Sequence, residues 1–305
     1  MGKKSALSAQ DVADMLNVSK NTIYNMIKKG ELKSYNVGRK VRFTEDDINA
    51  FINRSQYHDA QKTPSALPDV QANNGFIICG QDIILDVLSN YMRSYDIPAM
   101  RAFIGSYDGL MLLYKNKVNV ASSHLWDSET DEYNIPYIKR LLPGTSTLVI
   151  HLTYRMQGLY VKKGNPKNIK SWEDFRRDDI TMINREYGAG SRVLLDENLK
   201  LLDILGSSIK GYATEGQTHL AVASSVSGGE ADVAVGIEKI ARQVDNIDFI
   251  PMKKERYDLV VKKEHINSHE VSAMMNIINS AAFKQEFANI GGYDTSGIGK
   301  IIAEI

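Results

Sequence analysis

A polar segment without apolar periodicity, residues 55–74, divides the chain and is the feature that most constrains its folding. It contains Pro64 and Pro68 and lacks the regular spacing of apolar side chains that a packed helix or strand needs, which is typical of a linker. A chain of 305 residues accommodates two or three compact units. We therefore expect a small N-terminal domain, residues 1–54, and a separate larger domain, residues 75–305.

Charge divides along the same boundary. Residues 1–54 contain ten Lys and Arg against six Asp and Glu, and the rest of the chain carries the compensating acidic excess, because the formal net charge is zero. A small basic domain predicts a polyanionic partner for that domain. The chain has one cysteine, no apolar run that could span a bilayer and no apolar segment after its basic N-terminus. We expect a cytoplasmic protein with no membrane contact.

Two short helical patterns joined by a turn form the first half of the small domain. Ser8 and Ser19 stand where N-caps would begin two helices, and the second helix would end at Gly30. Two helices joined in this way form a helix-turn-helix. The second helix leaves polar and basic side chains outside, which suit phosphates and base edges in a DNA major groove. The candidate DNA contacts on it are Ser19, Lys20, Asn21, Thr22, Tyr24, Asn25 and Lys28.

Residues 35–43 predict a β-hairpin with Gly38 in its turn, and Thr44 is a candidate cap of a closing helix. This order of elements over residues 6–53, ending in "GELKSYNVGRKVRFTEDDINAFI", resembles the excisionase-type winged helix-turn-helix, related to the mercury-resistance regulators. The resemblance implies double-stranded DNA as a partner. A small helical protein-interaction module is the alternative. The hairpin would be a basic wing presenting Arg39, Lys40 and Arg42.

Residues 75–305 alternate short apolar runs with helical patterns, which predicts an α/β fold with mostly parallel sheets. A segment of this length is large for one sheet, so we expect two lobes. Lobe I would comprise residues 75–155 and 256–305, and lobe II residues 156–255. The strand candidates are residues 76–79, 118–121, 147–152, 159–161, 181–184, 232–235, 249–251 and 258–261.

Loops rich in Gly and Ser recur where a strand candidate ends and a helix pattern begins. Helix N-termini expose unpaired N–H groups and a positive dipole end, and such loops gather at the carboxyl ends of strands in an open α/β sheet. Two lobes whose loops face each other would enclose a small anionic or zwitterionic ligand. The candidate ligand contacts in these loops are Gly80, Gln81, Asp82, Ser106, Ser123, His124, Arg185, Gly190, Ser191, Arg192, Thr218 and His219.

The most specific of these loops is "NREYGAGSR", in which Arg185 and Arg192 flank a Gly-x-Gly before a helix start at Ser191. It predicts an anion cradle; the alternative is an ordinary turn and capped helix with surface arginines. His219 either donates to a ligand or is a structural histidine. Arg155 lies where the chain would cross between the lobes, and it either lines the cleft or braces a hinge.

The motifs "SSHLWD", "RMQGLYVKKGNP", "NREYGAGSRVLLD", "THLAVASSVSGGEADVAVGIE" and "ERYDLVV" follow one another in the large domain. Their order resembles the periplasmic-binding-protein-like domain fused to bacterial helix-turn-helix regulators, which is similar in fold to molybdate- and tungstate-binding transport proteins. The resemblance covers about residues 76–285 and implies ligand contacts at the helix starts. One departure is Gly80-Gln81, where the family more often has Ser-His before the aspartate. Asp82 would also repel an oxyanion unless Arg185 or Arg192 compensates.

The leading hypothesis is a DNA-binding transcriptional regulator, acting as a homodimer, that closes around a small anion such as molybdate or tungstate. No cofactor is expected beyond that ligand, and the scattered histidines and single cysteine predict no metal site. One alternative is an enzyme acting on a small anionic substrate in the same cleft, although Cys79 is expected to be buried. The other is an excisionase-like recombination accessory protein that uses only the small domain.

Overall fold

In a computed structural model of the protein, the described residues are 7–15, 19–28, 32–38, 40–44, 47–48 and 75–305. They fall into two compact units, residues 1–68 and 69–305. The expected linker, residues 55–74, lies outside the described residues, as do Arg39 and the side chains of Asn25 and Lys28.

The small unit contains the two expected helices and the expected hairpin. Helix α1 spans Ala9–Met15 and helix α2 spans Lys20–Lys28. Strand β1 (Leu7–Ser8), β2 (Tyr35–Val37) and β3 (Lys40–Phe43) form an antiparallel sheet in the order β1-β3-β2. Gly38 in the β2–β3 turn has a φ of +62°, which glycine adopts without steric cost.

Side-chain caps begin the helices of this unit, as predicted. The hydroxyl of Ser8 accepts from Asp11 N at 3.2 Å, and that of Ser19 accepts from Thr22 N at 3.2 Å. The hydroxyl of Thr44 accepts from Asp47 N at 3.1 Å. The core below the helices consists of Ala9, Val12, Ala13, Ile23, Leu32, Phe43 and Ile48.

The large unit consists of a mixed sheet flanked by helices. Its helices are α3 (Ile84–Ser94), α4 (Ser106–Tyr114), α5 (Ile135–Leu141), α6 (Gly190–Leu201), α7 (His219–Gly228), α8 (Glu238–Ala241), α9 (His269–Asn279) and α10 (Ala281–Ile290). Its strands are β4 (Phe76–Cys79), β5 (Ala99–Ala102), β6 (Val120–Ser123), β7 (Trp126–Asp127), β8 (Glu132–Tyr133), β9 (Thr147–Lys162), β10 (Asn184–Arg185), β11 (Glu215–Gly216), β12 (Val233–Ile237), β13 (Ile247–Lys262) and β14 (Ile301–Glu304). Of the helices described, none is long and apolar enough to cross a membrane.

The main sheet has the order β12-β9-β13-β6-β4-β5, with β14 paired to β9. Strand β4 pairs in parallel with β5 and with β6. The pairs β6–β13, β13–β9, β9–β12 and β9–β14 are antiparallel. The prediction of mostly parallel sheets is therefore wrong for this sheet. The physical reason is that β9 carries the chain out of one lobe and its neighbour β13 carries it back, so the two crossing strands run in opposite directions.

Strands β9 and β13 each cover two of the strands that the apolar pattern predicts as separate. Both pass through the unit as 16-residue strands and pair along most of their length. One core lies at the β9 segment 147–152 and holds side chains from α3, α9 and α10. Two further cores lie around residues 159–161 of the same strand. We call the first region lobe I and the second lobe II.

Candidate functional site

A narrow cavity of about 10 Å³ lies between lobe I and lobe II of the large unit. That volume is about what a single water molecule needs, so the space between the lobes is narrow in this structure. Both lobes and the crossing strands contribute to it. The lining residues are Gly80, Gln81, Asp82, Ile104, Gly105, Ser106, Ser122, His124, Arg155, Arg185, Ala189, Gly190, His219 and Tyr257.

Three helices begin at this cavity. Helix α4 starts at Ser106, α6 at Gly190 and α7 at His219, and these three residues line the cavity. Helix N-termini carry unpaired N–H groups and a partial positive charge, so three of them together favour an anion. Gly190 packs against His124 so closely that a Cβ atom there would lie 2.4 Å from the imidazole ring.

Arg185 brings a buried guanidinium group to the cavity from β10. Its Nε and Nη2 atoms donate to Glu186 at 2.8 Å each, and Nη2 also donates to Gln81 Oε1 at 2.6 Å. Gln81 in turn donates to Glu186 Oε1 at 3.0 Å, which links lobe I to lobe II. Among the described residues the Nη1 group of Arg185 has no hydrogen-bond partner, so it can donate to a ligand.

Arg155 is a second buried guanidinium group, on the crossing strand β9. It forms ion pairs with Asp82 through Nη1 and with Glu255 through Nε, and it lies 4.1 Å from the centre of the Tyr257 ring. Burial alone would lower the pKa of Arg155, but Glu255 and Asp82 raise it, so the group stays charged. Its Nη2 group has no hydrogen-bond partner among the residues described. Arg155 therefore both lines the cleft and braces the strands that join the lobes.

Asp82 lines the cavity with its carboxylate oxygens already engaged. Besides the ion pair with Arg155, Oδ1 accepts from Tyr293 OH at 2.7 Å and from Ile84 N at 2.9 Å. The cation that compensates this charge is Arg155, rather than Arg185 or Arg192. Asp82 thus anchors Arg155.

His124 is oriented by Glu255, which faces Arg155 in the register of β9 and β13. The Nδ1 atom of His124 lies 2.7 Å from Glu255 Oε2, and Gln157 donates to the same oxygen. Burial would raise the pKa of Glu255, but Arg155 and His124 outweigh this and lower it. Glu255 is therefore ionised and holds the His124 imidazole through Nδ1. The Nε2 atom of His124 lies on the side of the ring away from Glu255.

His219 contributes a neutral imidazole to the cavity. Burial, together with the positive charges of Arg185 and Arg155, holds its pKa well below the usual value. Its Nδ1 atom is buried without a hydrogen-bond partner in the structure. A buried, unpartnered polar atom is costly, so a ligand that engages this imidazole would be stabilised.

Four of the candidate ligand residues do not line the cavity. Thr218 caps α7 by accepting from Ala221 N at 3.0 Å, and Ser191 accepts from Gln157 at 3.3 Å. Ser123 is buried in β6, where its hydroxyl has no hydrogen-bond partner in the part of the chain that the structure describes. Each of these three residues is the chain neighbour of a lining residue, and the fourth is Arg192.

Arg192 lies beside the cavity wall and points away from the cavity. Its guanidinium group is sandwiched between the rings of Tyr187 and Tyr212, 4.2 Å from each ring centre, and pairs with Asp196 at 3.2 Å. Its Nη1 group donates to the carbonyl of Arg185 at 3.1 Å. Arg192 therefore fixes the backbone that presents Arg185.

The ligand contacts predicted from the sequence leave out five lining residues and the carboxylate of Glu255, although three of the five, Gly105, Ser122 and Ala189, lie in the predicted loops. Glu255 and Tyr257 stand two apart on β13 and so share a face of the strand. The signal in the sequence that could have identified Glu255 is a charged residue next to an apolar strand segment. Ser122 is fixed by Tyr257, whose hydroxyl lies 2.7 Å from its own. The missed lining residues are Ile104, Gly105, Ser122, Ala189 and Tyr257.

The small unit exposes the expected DNA-contacting surface where it is described. Ser19, Lys20, Asn21 and Tyr24 are exposed on or beside α2, and Thr22 is half-buried. On the hairpin, Lys40 is exposed, while Arg42 is half-buried and donates to the carbonyl of Val41 at 3.1 Å. The surface is thus polar and basic, as a nucleic-acid interface requires.

Comparison with known proteins identifies both units. Residues 89–279 match the model of the PBP superfamily domain, and residues 6–56 match a helix-turn-helix domain. The chain belongs to the PBP superfamily and carries an N-terminal helix-turn-helix domain, a class that binds DNA. This combination joins a DNA-binding unit to a ligand-binding type of fold.

Two uncharacterized bacterial proteins are similar to this chain. YvgK of Bacillus subtilis (strain 168) is 40% identical over 311 residues, which cover 100% of both chains. A protein from the ferredoxin 2Fe-2S gene 5′ region of Clostridium pasteurianum is 54% identical over 113 residues, covering 37% of this chain and 100% of that one.

Two solved structures share the fold of the large unit. The tungstate ABC transporter protein of Geobacter sulfurreducens matches with a TM-score of 0.53 at 12% identity, covering 72% of this chain and 100% of that chain. A putative phosphate ABC transporter substrate-binding protein of Clostridium perfringens, with bound phosphate, matches with a TM-score of 0.53 at 15% identity, covering 73% and 99%. At these identities the likeness shows the fold alone.

Proposed function

We propose that the protein is a DNA-binding transcriptional regulator that responds to a small anion held in the cavity between its lobes. The observation that carries this proposal is the meeting of three helix N-termini with two buried guanidinium groups, Arg155 and Arg185, in a cavity of a helix-turn-helix protein. A doubly charged oxyanion such as molybdate or tungstate is the ligand class that we favour. Such an ion is small but larger than the cavity of about 10 Å³, so its entry requires the lobes to move apart.

The free donors support an anionic ligand. The unpartnered Nη1 group of Arg185 and Nη2 group of Arg155 belong to cavity-lining residues on different elements. Hydrogen bonds from charged donors to an oxyanion are roughly twice as strong as neutral ones. A ligand that receives both would hold β9 and lobe II together, and it would favour the closed arrangement of the lobes.

A thermal-shift screen of the full chain tests this proposal. The panel comprises molybdate, tungstate, sulfate, phosphate, small organic acids and amino acids. At about 100 times its Kd, a ligand that binds only the folded protein raises its stability by about 2.7 kcal/mol, which corresponds to roughly 5–10 °C in Tm. We expect such a shift with molybdate or tungstate. Shifts with organic acids alone would overturn the oxyanion assignment, and no shift with any compound would overturn the sensor.

The close contact between Gly190 and His124 gives a sharper test. In Gly190→Ala the new Cβ would lie 2.4 Å from the imidazole, so the ring must leave Glu255 or helix α6 must shift. We expect molybdate binding to weaken at least about tenfold, measured by calorimetry. The matched control is Gly228→Ala, also in a helix, where a Cβ meets no atom within 4 Å. Equal affinity of the two variants would contradict the assigned cavity geometry.

The DNA-binding half of the proposal rests on the small unit. One short recognition helix makes few specific contacts, so we propose that a homodimer reads two half-sites. Closure of the lobes around the ligand would then change the spacing or orientation of the two reading heads. Such a protein would work in the cytoplasm, where its DNA is.

Removing charge from the hairpin should weaken DNA binding in a salt-dependent way. In Lys40→Gln/Arg42→Gln two cations of the hairpin are lost, and each phosphate contact contributes about 0.9 to the slope of log K against log salt. We expect the slope to fall by about 1–2 in fluorescence-anisotropy titrations. Lys139→Gln, at an exposed lysine of the large unit, is the control and should keep the slope. An unchanged slope in the double variant would rule out the hairpin as a DNA contact.

Binding rather than catalysis fits the groups near the cavity. Cys79 is buried, and burial raises the pKa of its thiol to about 12, which keeps it from acting as a thiolate nucleophile at neutral pH. The carboxylates Asp82 and Glu255 are held in ion pairs with Arg155. We therefore propose a sensor rather than an enzyme acting in this cleft. A DNA-binding accessory role that needs no ligand would leave the cavity unexplained.

A further inference from the structure

We infer that His124 is the specificity-determining residue of the cavity and takes up a proton when a doubly charged oxyanion binds. This inference rests on the proposed function, because it concerns the same cavity and ligand class. It goes further by assigning a proton to the complex and a pH dependence to the ligand affinity.

The geometry leaves one ring nitrogen of His124 for the ligand. Nδ1 lies 2.7 Å from Glu255 Oε2 and 3.1 Å from Gln157 Nε2, so the carboxylate receives the Nδ1 proton. The residue lines the cavity, and Nε2 has no hydrogen-bond partner among the described residues. With Nδ1 carrying the proton, a neutral His124 presents a lone pair to the cavity. That lone pair would repel the oxygen of a fully deprotonated oxyanion.

The charges around His124 favour protonation once a dianion is present. Arg155 is a single cation between two carboxylates, Asp82 and Glu255, so this network is negative when His124 is neutral. A dianion placed beside it would add to the negative charge. A proton on Nε2 converts the lone pair into a donor and neutralises the network, since a nearby anion stabilises the imidazolium.

Each element packed against His124 presents another group to it, and none of these groups takes up the proton in place of His124. The Tyr257 ring of β13 lies 5.4 Å away, and burial raises the pKa of its phenol, which stays neutral. His219 at the start of α7 is kept neutral by burial and by Arg185 and Arg155. Helix α6 presents its positive N-terminus at Gly190, and α4 presents the Ser106 hydroxyl, which lies 3.3 Å from His124 N.

The pH dependence of ligand affinity has a definite sign. Because the complex holds one proton more than the free protein and free ligand, ligand affinity rises as the pH falls. An oxyanion that carries its own proton could donate it to neutral Nε2, so its affinity would depend less on pH. His124 would in this way distinguish molybdate from hydrogen phosphate.

Calorimetry of the full chain tests this directly. Molybdate is titrated at about pH 7.5 in buffers of different ionisation enthalpy, and the observed enthalpy is plotted against the ionisation enthalpy. The slope counts the protons taken up, and we expect about one. His124→Gln keeps a donor towards Glu255 but cannot be protonated, so its slope should be near zero and its affinity about tenfold weaker. The surface variant His269→Gln should retain the wild-type slope.

The outcomes separate this inference from the proposed function. Binding of molybdate to the wild type with a slope near zero would overturn the inference and leave the anion sensor standing. A slope near one that persists in His124→Gln would assign the proton to another group and would also overturn it. Absence of both binding heat and a thermal shift with every oxyanion of the panel would overturn the sensor and this inference together.

Discussion

Replacing Arg185 with methionine should weaken molybdate binding at least about 100-fold, a loss of roughly 2.7 kcal/mol. The guanidinium group is buried at the cavity, and its Nη1 group has no other partner among the described residues. Removing it leaves the ligand with one guanidinium and leaves Glu186 without its cation. Isothermal titration calorimetry of the full chain measures the loss.

Two further variants make the Arg185 result interpretable. Arg185→Lys keeps the charge but loses the planar fork, so we expect an intermediate loss of about tenfold. Arg242→Met removes an exposed arginine of lobe II whose one ion-pair partner among the described residues is Glu238 in its own helical segment, and it should bind like the wild type. A folded Arg185→Met protein that binds molybdate within about threefold of the wild type would exclude Arg185 as a ligand contact.

Replacing Arg155 with methionine should lower the free energy of unfolding by about 3–5 kcal/mol. The variant leaves Asp82 and Glu255 buried in the structure without their shared cation, and removing one partner of a buried ion pair is far more costly than removing a surface pair. Urea unfolding followed by circular dichroism measures this change. Arg242→Met is again the control, with an expected change below about 0.5 kcal/mol.

Replacing one of the two carboxylates by a neutral amide should recover much of the stability lost in Arg155→Met. In the combined variant Arg155→Met/Glu255→Gln, one of the two stranded carboxylates becomes an amide, so less uncompensated charge remains buried. We expect the double variant to be more stable than Arg155→Met alone. A loss of less than about 1 kcal/mol in the single variant would show that the ion-pair network does not hold the crossing strands together.

This network lies at the junction of the lobes, beside the proposed ligand site. Arg155 and Glu255 face each other on β9 and β13, the two strands that join lobe I to lobe II. Both residues also meet groups of the cavity, namely Asp82 and His124. An anion that contacts Arg155 or His124 therefore acts directly on the strands about which the lobes would move, which is what a ligand-driven switch needs.

The local signals in the sequence predicted much of the small unit and of the loops that line the cavity. Caps at Ser8, Ser19 and Thr44 and the turn at Gly38 depend on neighbouring residues, so they can be identified without the tertiary structure. Loops at helix starts meet in space because strand ends gather at one edge of a sheet. For that reason Gly80, Ser106, Arg185, Gly190 and His219 line one cavity.

Contacts between residues far apart in the chain could not be predicted from the sequence. The apolar pattern breaks at residues 153–158 and 252–257, where β9 and β13 carry polar and charged side chains into the cavity region, so each long strand was divided in two. Arg185 and Arg192 are alike in sequence, but only the fold shows that Arg192 is stacked between two tyrosines outside the cavity. The side-chain partners of Asp82 lie 73 and 211 residues away.

The central claim is that an anion in the large unit changes DNA binding by the small one. Duplexes enriched by the full-length protein from a random-sequence pool provide a labelled probe, and fluorescence anisotropy gives its Kd with and without saturating molybdate. We predict at least about a fivefold change in Kd for the wild type and none for Arg185→Met. The same Kd with and without molybdate, in a protein that calorimetry shows to bind the anion, would contradict the account.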